Sequence, residues 1–255
     1  MDIESSFACA RTQKERKDLW KTLLLGGDLE TTARWGVEHR EVGRLLNSLL
    51  YDAEGLVRWR AIQVFGLIAA LKAGVRIESV RETLRRLVWA VNDESGNSIP
   101  HAPELIGEIL ANVPILIPEF ARYLLACHDS PLYERGISWA MARIAAVDPE
   151  AFREFSEMLT ASLNDADPQV RGLALRALSP NAVRDALPLI RSLRFDPAIV
   201  RYYDPACGNF SGKNRGRNRG FRTGEPQIGE HTDRIALECV LECKPQAQKN
   251  KLEVK

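Results

Sequence analysis

Acidic side chains and one histidine gather between residues 92 and 108, where their types could bind a polar ligand or a protein partner. The cluster consists of Asp93, Glu94, His101, Glu104 and Glu108. Glu104 and Glu108 are four residues apart and therefore share a helix face. In one interpretation this stretch is a partner or ligand site. In the other, the acids cap helices and pair with Arg58 or Arg60 from earlier in the chain. A site for a hard metal ion would need more oxygens than the sequence brings together.

A second group of charged residues lies at 211–222, which contains five cations and no acid. These cations are Lys213, Arg215, Arg217, Arg219 and Arg222. Glycines at 212, 216 and 220 make the stretch flexible. It is either a solvated loop or a contact for phosphate or nucleic acid. The formal net charge of the whole chain is +1, so only a local patch could support nucleic-acid binding.

Sulfur ligands and tryptophans are the remaining candidates for chemistry. Weak zinc ligands are Cys207, His231, Cys239 and Cys243, but no C-x2-C knuckle joins them. Five irregularly spaced cysteines are a poor disulfide framework. We therefore predict no metal and no other cofactor. The five tryptophans are expected to pack between helices. Trp59, between Arg58 and Arg60, could instead anchor a partner together with Arg60.

The elements that position these residues are revealed by an internal repeat. The pattern L-x-D-x4-V-R-x2-A occurs from Leu50 to Ala61 and again, without a gap, from Leu163 to Ala174. Degenerate copies place further aspartates at 93, 129 and 196, so the unit length is 31–41 residues. That length fits two helices and two turns. The aspartate of each unit, such as Asp52, is predicted to cap the helix that follows it.

The predicted fold is all-α: a right-handed α-solenoid of stacked antiparallel helix pairs. The pairs are expected at 40–71, 78–111, 115–146 and 149–178, with a final pair from 181 that is split by 196–228. A short hairpin is expected to join Val200–Tyr203 with Phe221–Thr223. Buried repeat positions are Val57, Ala61, Val170 and Ala174. The whole chain, 1–255, is expected to form a single domain. It would comprise an N-terminal helical cap (1–39), repeats (40–195), an irregular insertion with the basic loop (196–228), and a C-terminal helix and tail (229–255).

The repeat pattern resembles the PBS-lyase HEAT-like repeat over roughly residues 40–195. The stretch 92–96, followed by 102–104 and 107–109, is similar to a subgroup of uncharacterised bacterial HEAT-repeat proteins. The resemblance implies an ARM-type superhelix. Repeats of this kind serve mostly as scaffolds and sometimes as phycobilin lyases or regulators of enzymes.

Three functions follow as expectations. The first is a non-enzymatic scaffold for protein–protein interaction, with the surface joining 92–108 to 211–222 as its site. The second is a nucleic-acid- or phosphate-binding protein that uses the 211–222 loop. The third is a tetrapyrrole lyase-like protein, for which no catalytic residues can be assigned. No apolar run is long enough to span a bilayer, and no secretory signal is evident. We therefore predict no membrane contact and a cytoplasmic location.

Overall fold

The computed structural model describes residues 10, 12–39, 41–92, 99, 101–125 and 132–210 of the chain. The helices are α1 Gln13–Gly26, α2 Leu29–Val37, α3 Val42–Leu49, α4 Gly55–Asn92, α5 Ala102–Asn112, α6 Ile117–Phe120, α7 Arg122–Leu125, α8 Glu134–Ala145, α9 Ser156–Ser162, α10 Pro168–Ala177, α11 Pro180–Asp185 and α12 Leu187–Leu193. Short 3-10 turns occupy Pro114–Leu116 and Arg153–Phe155. This is the predicted all-α repeat architecture.

The long element α4 is two helices joined end to end. Its backbone leaves helical geometry at Arg76 (φ −151°, ψ 90°), which separates 55–75 from 77–92. The first segment completes the predicted pair 40–71, and the second begins the predicted pair 78–111. The later pairs also begin and end close to their predicted bounds.

One layer of the solenoid consists of α2, α4, α5, α8 and α10, each packed on the next. Tight crossings at glycines bring these helices together. A Cβ added at Gly66 of α4 would lie 2.6 Å from Glu108 Cγ, and one added at Gly107 of α5 would lie 2.6 Å from Ala140 Cα. The buried apolar residues form one continuous cluster that extends from Trp20 in α1 to Tyr203.

The repeat positions are buried as predicted. Val57 and Ala61 are fully enclosed, and Val170 and Ala174 are at most 2% exposed. These small and β-branched side chains face the adjoining helices, so the helices can pack closely.

The prediction for the repeat aspartates needs a correction. Asp52 Oδ1 accepts from the Glu54 N–H, which lies in the turn before α4 begins at Gly55. Asp165 likewise accepts from the Asp167 N–H at 2.7 Å, and Asp167 then caps α10. The repeat aspartate therefore closes the turn between the two helices of a pair and does not cap the second helix itself.

The segment 196–210, which we call the strap, returns across the solenoid after α12, the last helix among the described residues. Within it, β1 (Tyr203–Asp204) pairs antiparallel with β2 (Asn209–Phe210). A hairpin was predicted here with residues 221–223, which lie outside the described residues; the structure pairs Tyr203 with Phe210. A local turn allows this pairing, in which Asp204 Oδ1 accepts from the Ala206 N–H and Gly208 takes a positive φ of 60°.

The tryptophan prediction holds for four of the five residues. Trp20, Trp35 and Trp139 are buried and Trp59 is half-buried, but the Trp89 side chain is 64% exposed. No described helix is both long enough and apolar enough to cross a lipid bilayer.

Candidate functional site

The candidate site lies at the interrupted repeat, between the end of α4 at Asn92 and the start of α5 at Ala102. Trp89 projects from the last turn of α4. The Asn92 side chain donates to the Val88 carbonyl at 2.8 Å and so secures the helix end that carries Trp89. Trp89 is therefore presented on a helical turn that a side-chain hydrogen bond closes.

Across the interruption, His101 and Glu104 meet at the start of α5. His101 Nδ1 lies 3.1 Å from Glu104 Oε1. The His101 side chain is partly exposed, whereas only 9% of the Glu104 side chain is. Glu104 Oε2 is buried, and none of the described residues donates a hydrogen bond to it. His101 therefore contacts one oxygen of this carboxylate, and the other oxygen accepts no hydrogen bond from the described part of the chain.

The Glu104 carboxylate packs closely against α8. A Cβ added at Gly136 would lie 2.7 Å from Glu104 Oε2, so the carboxylate lies directly against the helix at this glycine. Further along the same two helices, Gly107 meets Ala140. Because residues later in α5 contact residues later in α8, the two helices run parallel, and both begin at the same edge of the solenoid. Tyr133, the N-cap of α8, adds a buried hydroxyl that has no hydrogen-bond partner among the described residues. Trp89, His101, Glu104 and Tyr133 form what we call the broken-repeat edge.

Glu108 is placed differently from Glu104, although both lie on α5. It is 1% exposed. Arg143 Nε on α8 donates to Glu108 Oε2 at 2.8 Å, and Asn112 Nδ2 donates to Oε1 at 2.9 Å. Its carboxylate is satisfied within the protein, so it links α5 to α8.

Arg60 is buried at the junction of three elements. Its Nη1 donates to the carbonyls of Leu24 and Leu25 at the end of α1, at 2.7 and 3.0 Å. Its Nε donates to the Gly208 carbonyl in the strap at 2.9 Å. A cation suits the negative end of the α1 dipole. Arg60 therefore pairs with main-chain carbonyls and not with Glu104 or Glu108, the described acids of the interrupted repeat.

Trp59 stacks on the strap. Its ring is nearly parallel to Tyr203, 5.5 Å between centroids, and tilted against Trp139 at 4.7 Å. The Trp139 indole N–H donates to the Tyr203 carbonyl at 2.9 Å. The Tyr203 hydroxyl donates to Gln63 Oε1 at 2.5 Å, and burial raises the pKa of Tyr203. Trp59 thus helps to hold the strap.

Sequence reasoning missed this group of Gln63, Trp139 and Tyr203. The residues lie far apart in sequence, and no local periodicity signals their contact. The paired tyrosines at 202 and 203, in a segment otherwise lacking helix character, were the one indication that it packs against something.

Other predicted site residues lie outside the described residues. They are Asp93, Glu94, Lys213, Arg215, Arg217, Arg219, Arg222, His231, Cys239 and Cys243. Cys207 is exposed at the strap turn, where its Sγ lies 3.5 Å from the Asp204 carbonyl oxygen. Within the described ranges no three His, Cys, Asp or Glu side chains converge as metal ligands would. The joint surface with the basic loop stays a prediction.

Comparison with known proteins supports the fold. No family model matches the chain. An uncharacterised protein of Archaeoglobus fulgidus is 27% identical over 161 residues, which cover 62% of this chain and 84% of that protein. The crystal structure of an engineered protein has a TM-score of 0.52 at 15% identity, over 94% of this chain and 95% of its own. A designed armadillo repeat protein has a TM-score of 0.47 at 19% identity, over 93% of this chain and 98% of its own. The first of these two structures confirms the helical-repeat fold and carries no information on function.

Proposed function

We propose that this protein is a non-catalytic binding protein that docks a protein partner on the broken-repeat edge. The exposure of Trp89 carries the proposal. A large aromatic side chain on a fixed helix end offers extensive apolar contact at a small loss of conformational entropy, and such residues dominate the binding energy of interfaces. Trp89 has this character, while the other tryptophans are used in packing.

Glu104 supports the same location. A buried oxygen without a hydrogen bond costs about 1–3 kcal/mol. A partner that places an N–H or ammonium group beside Glu104 Oε2 would recover that energy. The contact with His101 fixes the carboxylate beforehand, so little order is lost on binding. An exposed apolar anchor at the end of α4 and an unsatisfied acceptor at the start of α5 suit a protein surface that offers an apolar pocket rimmed by donors.

The repeat architecture is compatible with this function. Each helix pair contacts only its neighbours, so the stack presents an extended surface whose irregular units are free to serve binding. The interruption at 92–102 is such a unit. The tetrapyrrole lyase alternative stays a prediction, which an absorption spectrum of the purified protein would test.

Site-specific photocrosslinking in the source cells tests the proposal. A photoreactive phenylalanine analogue replaces Trp89 in one variant and Ile115 in another. Ile115 is 76% exposed but follows the opposite end of α5, so it is a matched control. We expect a discrete protein adduct from position 89 and none from position 115.

Glu104→Ala, combined with the analogue at position 89, should reduce the yield of that adduct while the helical circular dichroism is retained. Equal adducts from both positions, or no adduct from position 89, would show that the edge is not an interface. An adduct of twice the chain's own mass would mean self-association and not a separate partner.

A further inference from the structure

Side chains from three helices hold the strap by its main chain. The Gln169 amide on α10, oriented by its hydrogen-bond partners, accepts from the Arg201 N–H at 2.9 Å and donates to the Arg201 carbonyl at 3.0 Å. Gln63 Nε2 on α4 donates to the Pro205 carbonyl at 2.9 Å. With the bonds already described from α8 and α4, the accepting carbonyls are those of Arg201, Tyr203, Pro205 and Gly208. Because every residue has a main-chain carbonyl, these contacts do not depend on the strap's own side chains.

Two positions of the strap add side-chain specificity. Val200 is fully buried, and its Cγ2 would lie 2.5 Å from a Cβ added at Gly172 of α10, so the valine fills a notch at this glycine. Tyr203 is 1% exposed, stacks on Trp59 and donates its hydroxyl to Gln63 Oε1. The helix surface thus selects a β-branched residue and a tyrosine three positions later.

This combination is the one by which proteins recognise an extended peptide. Main-chain hydrogen bonds supply affinity for any extended segment, and side-chain pockets select its sequence. A segment that only covered apolar helix surface would need no such row of hydrogen bonds. Gln63 and Gln169 stay half-buried with the strap in place. Water can therefore hydrate both amides when the strap leaves, and its release strands neither of them.

We propose that this surface of α4, α8 and α10 binds an extended segment of a partner protein that carries a β-branched residue and, three positions later, a tyrosine. We call the surface, lined by Trp59, Gln63, Trp139, Gln169 and Gly172, the strap groove. The strap occupies the groove within the same chain, and the partner's segment displaces it. The groove shares no residue with the broken-repeat edge, so this interaction is separate from the docking proposed there.

Fluorescence anisotropy with the full chain tests the proposal. The probe is a labelled peptide of residues 196–210 with Cys207→Ser, which prevents a disulfide with the protein. In the wild type the attached strap competes with the probe at a high effective concentration and keeps its binding weak. Tyr203→Ala in the protein loosens the strap but leaves the groove unchanged. This variant should bind the probe at least about tenfold more tightly than the wild type. Tyr203→Phe, which loses only the hydrogen bond to Gln63, should gain about fivefold.

A groove variant separates peptide binding from a mere loosening of the strap. Gly172→Ala also loosens the strap, but the added methyl group obstructs Val200 of the probe as well, so no affinity should be gained. The matched control is Gly43→Ala on α3, where an added Cβ meets nothing within 4 Å, and it should bind like the wild type. A second probe with Tyr203→Ala should bind the Tyr203→Ala protein at least about tenfold more weakly than the first probe.

Several results would overturn the proposal. They are no binding of the probe to either Tyr203 variant, equal affinity of the two probes, or a gain in Gly172→Ala or Gly43→Ala as large as that in Tyr203→Ala. Each would show that the strap is a fixed part of the fold. If circular dichroism shows that Tyr203→Ala loses its helices, Tyr203→Phe supplies the same comparisons. None of these results bears on the crosslinking at position 89, so the two proposals fail independently.

Discussion

Arg171 of one repeat donates two hydrogen bonds to Oδ2 of Asp196, the turn aspartate of the next unit. Its Nη1 also donates to the carbonyls of Asp165 and Ala166 in its own turn, at 2.7 and 3.0 Å. One guanidinium thus connects two successive turns. Arg135, in the corresponding slot of the preceding unit, pairs with Asp167, the residue that caps α10 in the next unit. These two arginines are therefore inter-repeat links.

Removing this link should destabilise the C-terminal repeats. The side chains of Arg171 and Asp196 are only 16% and 15% exposed, so solvent screens the ion pair weakly. We expect Arg171→Ala to lower the free energy of unfolding by on the order of 2 kcal/mol in urea denaturation. The exposed arginine variant Arg191→Ala should lose less than about 0.5 kcal/mol. Equal midpoints for the two variants would mean that the link contributes nothing.

The fold was predictable because the helix faces and turns of a helical repeat are reflected in the spacing of residues close together in sequence. The spacing of Val57, Ala61 and their counterparts reflects one helix face, and the aspartates mark the turns between helices. Local patterns of this kind are present in the sequence whatever the chain does elsewhere. The role of the repeat arginine was not predictable, because its partner belongs to the following unit and the pattern records only one unit at a time.

The candidate site was predictable only in part. The interruption at 92–108 is visible as a break in the pattern, but the sequence treats Glu104 and Glu108 alike. The structure separates them because Arg143 reaches Glu108 and not Glu104. The strap contacts were not predictable either, since Gln63 and Tyr203 are 140 residues apart. The exposure of Trp89 opposes the general preference of tryptophan for packed interiors, and only tertiary structure reveals it.

The small residue at Ala174 is a packing requirement. Its side chain is 2% exposed in α10. Ala174→Leu should overfill this contact and destabilise the protein by about 1–3 kcal/mol. Ala146→Leu, at an exposed position after α8, provides the control and should change stability little. An unchanged denaturation midpoint for Ala174→Leu would show that the neighbouring helix can move aside without loss.

The turn at Asp52 should make stability depend on pH in acid. Burial raises the pKa of Asp52, but the hydrogen bonds from the Glu54 N–H and the Lys21 ammonium outweigh it and hold the pKa below its ordinary value of 3.8. A carboxylate with a lowered pKa in the folded state stabilises the fold above 3.8, and this contribution is lost as the pH falls through the folded pKa.

Asp52→Asn should therefore flatten the fall of the thermal midpoint below about pH 4. In a Lys21→Met background the same substitution should have a smaller effect, because one source of the lowered pKa is already gone. Acid profiles that superimpose for wild type and Asp52→Asn would contradict the assignment.

Removing one partner of the buried pair Glu108 and Arg143 should destabilise the protein strongly, whereas replacing both with apolar residues should destabilise it little. Glu108→Ala leaves a largely buried guanidinium without its carboxylate and should cost about 3–5 kcal/mol. The double variant Glu108→Leu/Arg143→Leu removes both charges and should recover most of that loss, since apolar pairs of similar volume are often as stable. Chemical denaturation of the single and double variants measures both effects. A double variant no more stable than Glu108→Ala would mean that the site requires the ion pair.

Ionisation of Tyr203 should destabilise the folded protein at alkaline pH. Burial raises the pKa of its hydroxyl above the ordinary value of 10.0, so the folded protein holds this proton more tightly than the unfolded chain. The resulting stability is present below pH 10 and is lost as the pH rises toward the folded pKa.

Tyr203→Phe keeps the ring against Trp59 but removes the titrating hydroxyl. It should lower stability at neutral pH by about 1–2 kcal/mol, because Gln63 Oε1 loses its donor, yet it should reduce the loss above pH 10. Tyr51→Phe, at a tyrosine that is 65% exposed, should keep the wild-type alkaline slope. Tryptophan fluorescence follows the unfolding, since Trp59 and Trp139 both contact the strap. If Tyr203→Phe and the wild type lose stability in parallel above pH 10, the strap is not held through a buried neutral tyrosine.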